Sequence, residues 1–414
     1  MSSRGALDGL RVLEVSHEAG QLCGKLLADL GADVIRVEPP QGSLARRVGP
    51  FAGDMPDSNR SLTFWHYNTS KRSVTLDLDA REGQEIFRAL AARRDIVLET
   101  ESPGTMASRG LAYDDLAMGN WHLIYCSETS FGQSGPWSGY KACDLTLLAL
   151  GGPMALCGYD VADDSSETPI APLGGAAWHI GDSYAFIGIL AALHNRDMRG
   201  RGEYIDVSIH EAISVCTEIA FPLYANTGQD GVRQTARNAT VTPTSPIQFR
   251  CKDGRYVNCF IPRLSPEMFV TLRQWLAERG VGADLQDDAL LDPEVLREHM
   301  PRVMEAVGRL CASLTSDEVY EGAQRRRFAW APVRSPSELL SDPHLLARRF
   351  LVDVSHPEIE ARVRYAGPPF SMSATPMRIR RRAPLLGEHN LEIYHHELGI
   401  PLERLSVLTE QGVI

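Results

Sequence analysis

Apolar runs and helical repeats alternate through the first third of the chain, and this alternation restricts the possible folds more than any other feature. Leu10-Arg11-Val12-Leu13-Glu14-Val15 is rich in β-formers, and Leu22, Leu26, Leu27 and Leu30 then recur at helical spacing and stop at Gly31. Asp33-Val34-Ile35-Arg36-Val37-Glu38 reads as a second strand, closed by Pro39-Pro40. Strand, short helix and strand at this separation make a right-handed crossover with parallel strands. The pattern returns with a strand at 73–78, a helix at 81–94 and strands at 95–99 and 122–127. Repeated βα units predict a doubly wound, Rossmann-like α/β domain.

Further along, Ile180 to Leu193 reads as an apolar helix, followed by a Gly200/Gly202 break, a strand at 203–208 and a helix near His210. The stretch Thr227–Pro246, rich in Thr, Gly, Asn and Pro, reads as a linker. Residues 248–261 predict a β-hairpin turning at Lys252-Asp253-Gly254, and helical patterns at 265–279 and 294–325 predict a smaller α+β domain. After Pro332 come a helix near 336–349 and strands near 351–365. The expected division is therefore 1–226, 227–332 and 333–414.

Charge and cysteine usage narrow the function classes. A formal charge of −11 and a pI near 5.6 argue against nucleic-acid binding through an overall field. The chain's 8 cysteines lack CxxC or Cys/His clustering, so neither a zinc site nor a disulfide framework is expected. No secretory signal is evident, and the longest apolar run, Ala185 to Leu193, is too short to span a bilayer. The expectation is a soluble cytoplasmic protein with no membrane and no metal.

The loop after the first strand, Ser16-His17-Glu18-Ala19-Gly20, is no dinucleotide fingerprint, and Walker A and nucleophile-elbow motifs are also missing. One segment stands out: Trp178-His179-Ile180-Gly181-Asp182-Ser183, running into the apolar helix. An Asp at a loop-to-helix junction can be an ordinary N-cap. It can also be a nucleophilic carboxylate kept ionised by backbone N–H donors. Residue types alone leave both open.

Six segments in order resemble the class III CoA-transferase family. They are residues 7–14, residues 30–38, Asn68-Thr69-Ser70-Lys71-Arg72-Ser73, Phe131-Gly132-Gln133-Ser134-Gly135-Pro136, Gly181-Asp182-Ser183 with Gly188–Leu193, and Ala383-Pro384-Leu385-Leu386-Gly387-Glu388-His389. The resemblance implies that Asp182 attacks an acyl-CoA thioester, forming a mixed anhydride and then an aspartyl-CoA thioester, so that CoA passes between carboxylic acids without ATP or metal. It implies a large Rossmann-like domain built from both chain ends, a small central domain, and two chains interlocked as a homodimer. Its site is carried over to Asp182, Asp144 and Glu18 as catalytic residues. For CoA it is carried to His17, Ala19, Lys71, Arg72, Leu76, Thr100 and Arg109. Two departures matter. Glu18 stands where formyl-CoA transferases have a Gln, which disfavours oxalate as acceptor, and Cys143 stands where the sister racemase branch has a proton-transferring His. The alternative function, racemisation at the α-carbon of an acyl-CoA, is disfavoured accordingly, and Cys143 is expected to be a small buried packing residue.

Overall fold

The computed structural model describes residues 4–160, 168–261 and 264–414. The chain divides into two compact units, one comprising Met1–Gly151, Leu173–Cys216 and Pro343–Ile414, the other Gly152–Pro172 and Thr217–Asp342.

In the first unit, β1 (Arg11–Val15), α1 (Gln21–Asp29), β2 (Asp33–Glu38), α2 (Leu62–Tyr67), β3 (Arg72–Thr75), α3 (Arg81–Ala91) and β4 (Ile96–Glu99) follow in order. The short α4 (Thr105–Ser108) and α5 (Tyr113–Ala117) lead to β5 (Ile124–Thr129). Then come α6 (Asp144–Leu150), α7 (Pro153–Leu156, in the second unit), α8 (Ala176–Arg199), β6 (Tyr204–Ser208) and α9 (Ile209–Val215). The strands form one parallel sheet in the order β3-β2-β1-β4-β5-β6, the doubly wound arrangement expected from the alternation.

Side chains alternate across this sheet and so build two cores. Val12, Val34, Ile96, Leu98 and Cys126 point to one face, where Cys23 and Leu27 of α1 and Ala185, Ile189 and Ala192 of α8 cover them. Leu13, Ile35, Val37, Val74 and Val97 point to the other, under Phe87 and Leu90 of α3 and Ile393, Tyr394, Leu405 and Leu408 of the tail. The tail also closes the β3 edge. His389 N–H donates to Ser73 O at 3.0 Å, and Asn390 Oδ1 accepts from Thr75 N at 2.9 Å. A strand edge paired in this way cannot recruit another chain.

The apolar helix is longer than its sequence pattern: α8 has 24 residues and is long and apolar enough to cross a membrane. It is nonetheless a core helix, one face buried against the sheet and carrying Asp182.

The second unit holds antiparallel strands Gln248–Arg250 and Tyr256–Asn258, the expected hairpin, with Ala331–Pro332 beside it. Its helices Pro266–Glu278, Met300–Ser313 and Ser316–Arg325 bury Phe269, Trp275, Val307 and Trp330. The unit boundaries fall at Thr217 and Pro343 rather than at 227 and 333, and Gly152–Pro172 joins the second unit. The expected linker contains a hairpin, Val232–Gln234 with Arg237–Thr240. Gly, Asn and Thr serve tight turns and linkers alike, so composition could not separate the two. The helix expected at 336–349 is two short ones, Pro336–Leu339 and Pro343–Ala347, each opened by its own proline.

Candidate active site

Helix α8 starts at Ala176, so Asp182 lies in its second turn and does not cap it. The cap role falls to Asp144. From the first turn of α6, its carboxylate accepts from Gly175 N and Ala177 N, each at 2.8 Å. These are orphan donors at the start of α8, where the helix dipole also favours an anion. Asp144, expected near the substrate, thus holds the helix that carries Asp182.

Asp182 is 1% exposed, and its Oδ1 accepts from Cys23 N at 3.2 Å. Leu22 N–H adds a weaker bond, so the free amides opening α1 point at this carboxylate. Behind them lies Lys71, fully buried, whose Nζ meets a Glu14 oxygen at 2.8 Å, Gln21 O at 2.9 Å and Asn68 Oδ1 at 3.0 Å. Asn68 Nδ2 in turn donates to Gln21 Oε1 at 2.9 Å. The Asn68–Lys71 turn therefore anchors the start of α1. The ammonium has all its donors occupied and no solvent access, so the CoA contact expected of Lys71 gives way to an internal one. Burial pulls its pKa down to about 8, against the pull of Glu14.

Two helical glycines let carboxyl groups approach. A Cβ on Gly24 of α1 would run into the Glu14 carboxyl, and one on Gly181 of α8 would lie 2.5 Å from Glu128 Oε1. Burial pushes the Asp182 carboxyl up, restrained by the Cys23 amide and Lys71. It pushes Glu128 up as well, with Asp182 beside it adding to the shift. The thiols of Cys23 and Cys126 are raised by the same burial and stay neutral.

A cavity of about 230 Å³ opens over Asp182, lined by Glu18, Gln21, Tyr67, Trp178 and His179. Tyr67 and His179 share a hydrogen bond of 2.6 Å. Burial lowers the His179 pKa and raises that of Tyr67, so this pair is neutral. A neutral wall beside a thioester suits a site that must admit an acyl group without adding charge.

The remaining expected residues separate into groups. His17 N donates to Thr100 Oγ1 at 2.9 Å, and the His17 ring lies 3.3 Å from Glu101. Arg109 joins them, pairing with Asp79 at 2.7 Å and Glu101 at 3.7 Å. A second cavity of about 380 Å³ is lined by Glu99, Ser102, Met106, Tyr125, Ser127 and Tyr204. Burial lifts the Glu99 pKa to about 7. Arg72 is elsewhere, bound to Asp33 at 2.5 Å, Glu392 at 2.9 Å and Glu397, where it fastens the tail. Leu76 is a core side chain, and Ala19 is buried in the loop before α1. Cys143 is exposed at the start of α6, not buried as expected. Of the run Arg378–Arg382, Arg380 bonds Ala28 O and Ala32 O at 2.7 Å, and Arg382 pairs with Glu358 and Glu388 at 2.8 Å. That run binds the tail to the domain.

Sequence reasoning missed Glu14, Glu128 and His179. A carboxylate inside an apolar strand was the available signal for the first two. For His179 it was the spacing of three residues from Asp182, which puts both on one helix face. Among the described residues no cluster of three or more His, Cys, Asp or Glu is arranged to hold a metal ion.

The description "CoA-transferase family III" matches residues 7–390 of the chain. A subunit of succinyl-CoA:(R)-benzylsuccinate CoA-transferase from Thauera aromatica is 31% identical, over 98% of this chain and 97% of its own. Succinyl-CoA:mesaconate CoA-transferase from Haloarcula hispanica is 32% identical, over 94% and 96%. Formyl-CoA:oxalate CoA-transferase from Streptomyces avermitilis is 32% identical, over 99% of each. Among solved structures, a CAIB/BAIF family protein from Brucella suis superposes with a TM-score of 0.81 at 26% identity, over 95% of this chain and 99% of that one.

Proposed function

The chain belongs to CoA-transferase family III, and from that premise we propose that it moves CoA between carboxylic acids through covalent intermediates on Asp182. One observation carries the assignment of Asp182: a buried carboxylate, bonded by the first free amides of a helix, faces a cavity to which Tyr67 and His179 contribute a neutral pair. Burial strips the carboxylate of water and keeps it reactive, while the Cys23 amide and Lys71 keep enough of it ionised to attack.

In the proposed course, an Asp182 oxygen attacks the thioester carbonyl of the donor, the C–S bond breaks and CoA leaves as thiolate. The product is a mixed anhydride. The thiolate attacks the aspartyl carbonyl, releasing the donor acid as carboxylate and leaving an aspartyl-CoA thioester. The acceptor carboxylate attacks that thioester, and the returning thiolate takes its acyl group. Each step exchanges one activated carboxyl for another of similar energy. The cluster of His17, Thr100 and Arg109 is the proposed contact for CoA, Arg109 supplying the cation.

Glu18 in the wall of the Asp182 cavity opposes a small dianionic acceptor such as oxalate. Relatives named for succinyl-CoA donors make succinyl-CoA the first donor to test. A cytoplasmic homodimer, interlocked as the family resemblance implies, belongs to the same proposal. Leu145, Leu150, Tyr184 and Ile187 of α6 and α8 are exposed apolar side chains that such an interface would cover. Light scattering at twice the chain mass would support it.

The test is mass spectrometry of the protein incubated with succinyl-CoA and quenched with hydroxylamine. A hydroxamate or CoA adduct on Asp182 is expected, lost in Asp182→Asn together with at least about a thousandfold in kcat, the scale of nucleophile deletions. Deuterium exchange at the substrate's α-carbon with no adduct would replace this reading by racemisation.

A further inference from the structure

Glu128, at the end of β5, is 0% exposed, yet no donor among the described residues reaches either of its carboxyl oxygens. Its neighbours supply no charge compensation. Arg36 is taken by Glu14 at 2.5 Å and Ser16 at 2.6 Å, and Lys71 by Glu14, Gln21 and Asn68. The group it faces is Asp182, pressed close because residue 181 has no side chain. Two carboxylates are both acceptors, so this contact closes into a hydrogen bond only when one of them carries a proton. Asp182 already receives the Cys23 amide, which favours the charge there and the proton on Glu128. The other titratable groups around the pair are Glu14 on β1, Glu18 before α1, Cys23 on α1, Tyr67 on α2, Lys71 before β3, Cys126 on β5 and the neutral His179 on α8. Of these only Lys71 is a cation, and Glu14 holds it.

We propose that Glu128 is a positioning residue for the transfer, a permanently neutral carboxylic acid that donates its O–H to Asp182 in every covalent state. The proposal rests on Asp182 being the nucleophile. In the resting enzyme the donated bond and the Cys23 amide orient the carboxylate. Once Asp182 is an anhydride or a thioester, its remaining carbonyl oxygen accepts the same two donors. Attack by CoA thiolate or by the acceptor carboxylate places negative charge on that oxygen, and collapse of the adduct expels the donor carboxylate or CoA thiolate. Glu128 keeps its proton throughout, so no net transfer occurs. It supplies one arm of an oxyanion site, with the other from the start of α1. An ionised Glu128 could not do this, because its negative charge would repel the oxyanion.

The test uses the full-length enzyme with two substitutions. Glu128→Gln keeps a donor and removes the titration. Glu128→Leu fills the same space with no donor, and urea unfolding of both variants checks that each is folded. Infrared difference spectra at neutral pH are expected to show the carbonyl stretch of a protonated carboxylic acid, lost in Glu128→Gln. In single turnover, Glu128→Leu should break down the aspartyl-CoA adduct on the order of a hundredfold more slowly, with KM unchanged, and Glu128→Gln should recover most of that loss. No protonated-acid band in the wild type, or adduct breakdown at the wild-type rate in Glu128→Leu, overturns the proposal. In either case an adduct still mapped to Asp182 leaves the nucleophile reading standing. Absence of any adduct in the wild type removes that reading instead.

Discussion

Glu38 and the Asp182–Glu128 pair are enclosed carboxyl groups of one domain, at 1%, 1% and 0% exposure, yet they hold protons in opposite ways. Arg46 grips Glu38 with Nε at 2.9 Å and Nη2 at 2.7 Å, Ser43 Oγ donates at 2.8 Å and Ser73 Oγ at 3.0 Å. Burial alone would raise the Glu38 pKa, but Arg46 and Arg36 outweigh it and pull it to about 2. The pair at Asp182 has backbone amides and one already committed lysine, so there burial wins and both carboxyl groups are pushed up. Equal burial therefore says nothing about charge. The supply of cations and donors decides: arginines surround Glu38 and fasten the tail, and Asp182 is left short of them.

Neutralising each site should bring out this contrast most strongly. Glu38→Gln leaves Arg46 buried without its counter-ion and is expected to cost about 3–5 kcal/mol in urea unfolding. Asp182→Asn removes a poorly compensated charge and is expected to leave stability unchanged or raised while abolishing transfer. A large loss of stability in Asp182→Asn would break the comparison.

The pH dependence of unfolding sharpens it next. A folded pKa near 2 lies below that of an unfolded Glu, ~4.3, so the folded state binds fewer protons between those values. The stabilisation from Glu38 is complete above about pH 4.3 and disappears as pH falls through about 2, a span of about 3 kcal/mol. The Asp182–Glu128 pair has the opposite sign, because raised pKa values withdraw stability as pH rises above the unfolded carboxyl range. Denaturation midpoints measured at intervals of pH should lose the acid slope in Glu38→Gln. In Asp182→Asn the slope above pH 4 should shrink.

Asp144→Ala carries the smallest effect, removing the cap from α8 at about 1 kcal/mol. Since the capped helix carries Asp182, a modest fall in kcat with KM unchanged should accompany it. A rise in KM with no loss of stability would return Asp144 to the substrate.

Much of the frame was legible because its signals are local. Alternating apolar residues, leucines at helical spacing and Gly or Pro stops marked β1, α1 and β2 almost to the residue. The position of Asp182 relative to its helix was not. The cap of α8 comes from Asp144 in a different helix, so nothing near Asp182 in sequence signals that the helix has already begun. Lys71 and Arg72 look alike in the chain, yet one anchors the start of α1 and the other the C-terminal tail.

By itself, then, the sequence determined the parallel αβ domain, the family and the segment that holds Asp182. Each of these depends on short-range periodicity or on a contiguous motif, which a linear reading can see. Tertiary structure alone decided which carboxyl groups meet, which cations neutralise them and where a proton must remain. Charge pairing in a low-dielectric interior depends on distances between residues far apart in the chain, and Glu128 acquires its chemistry only when folding seals it against Asp182.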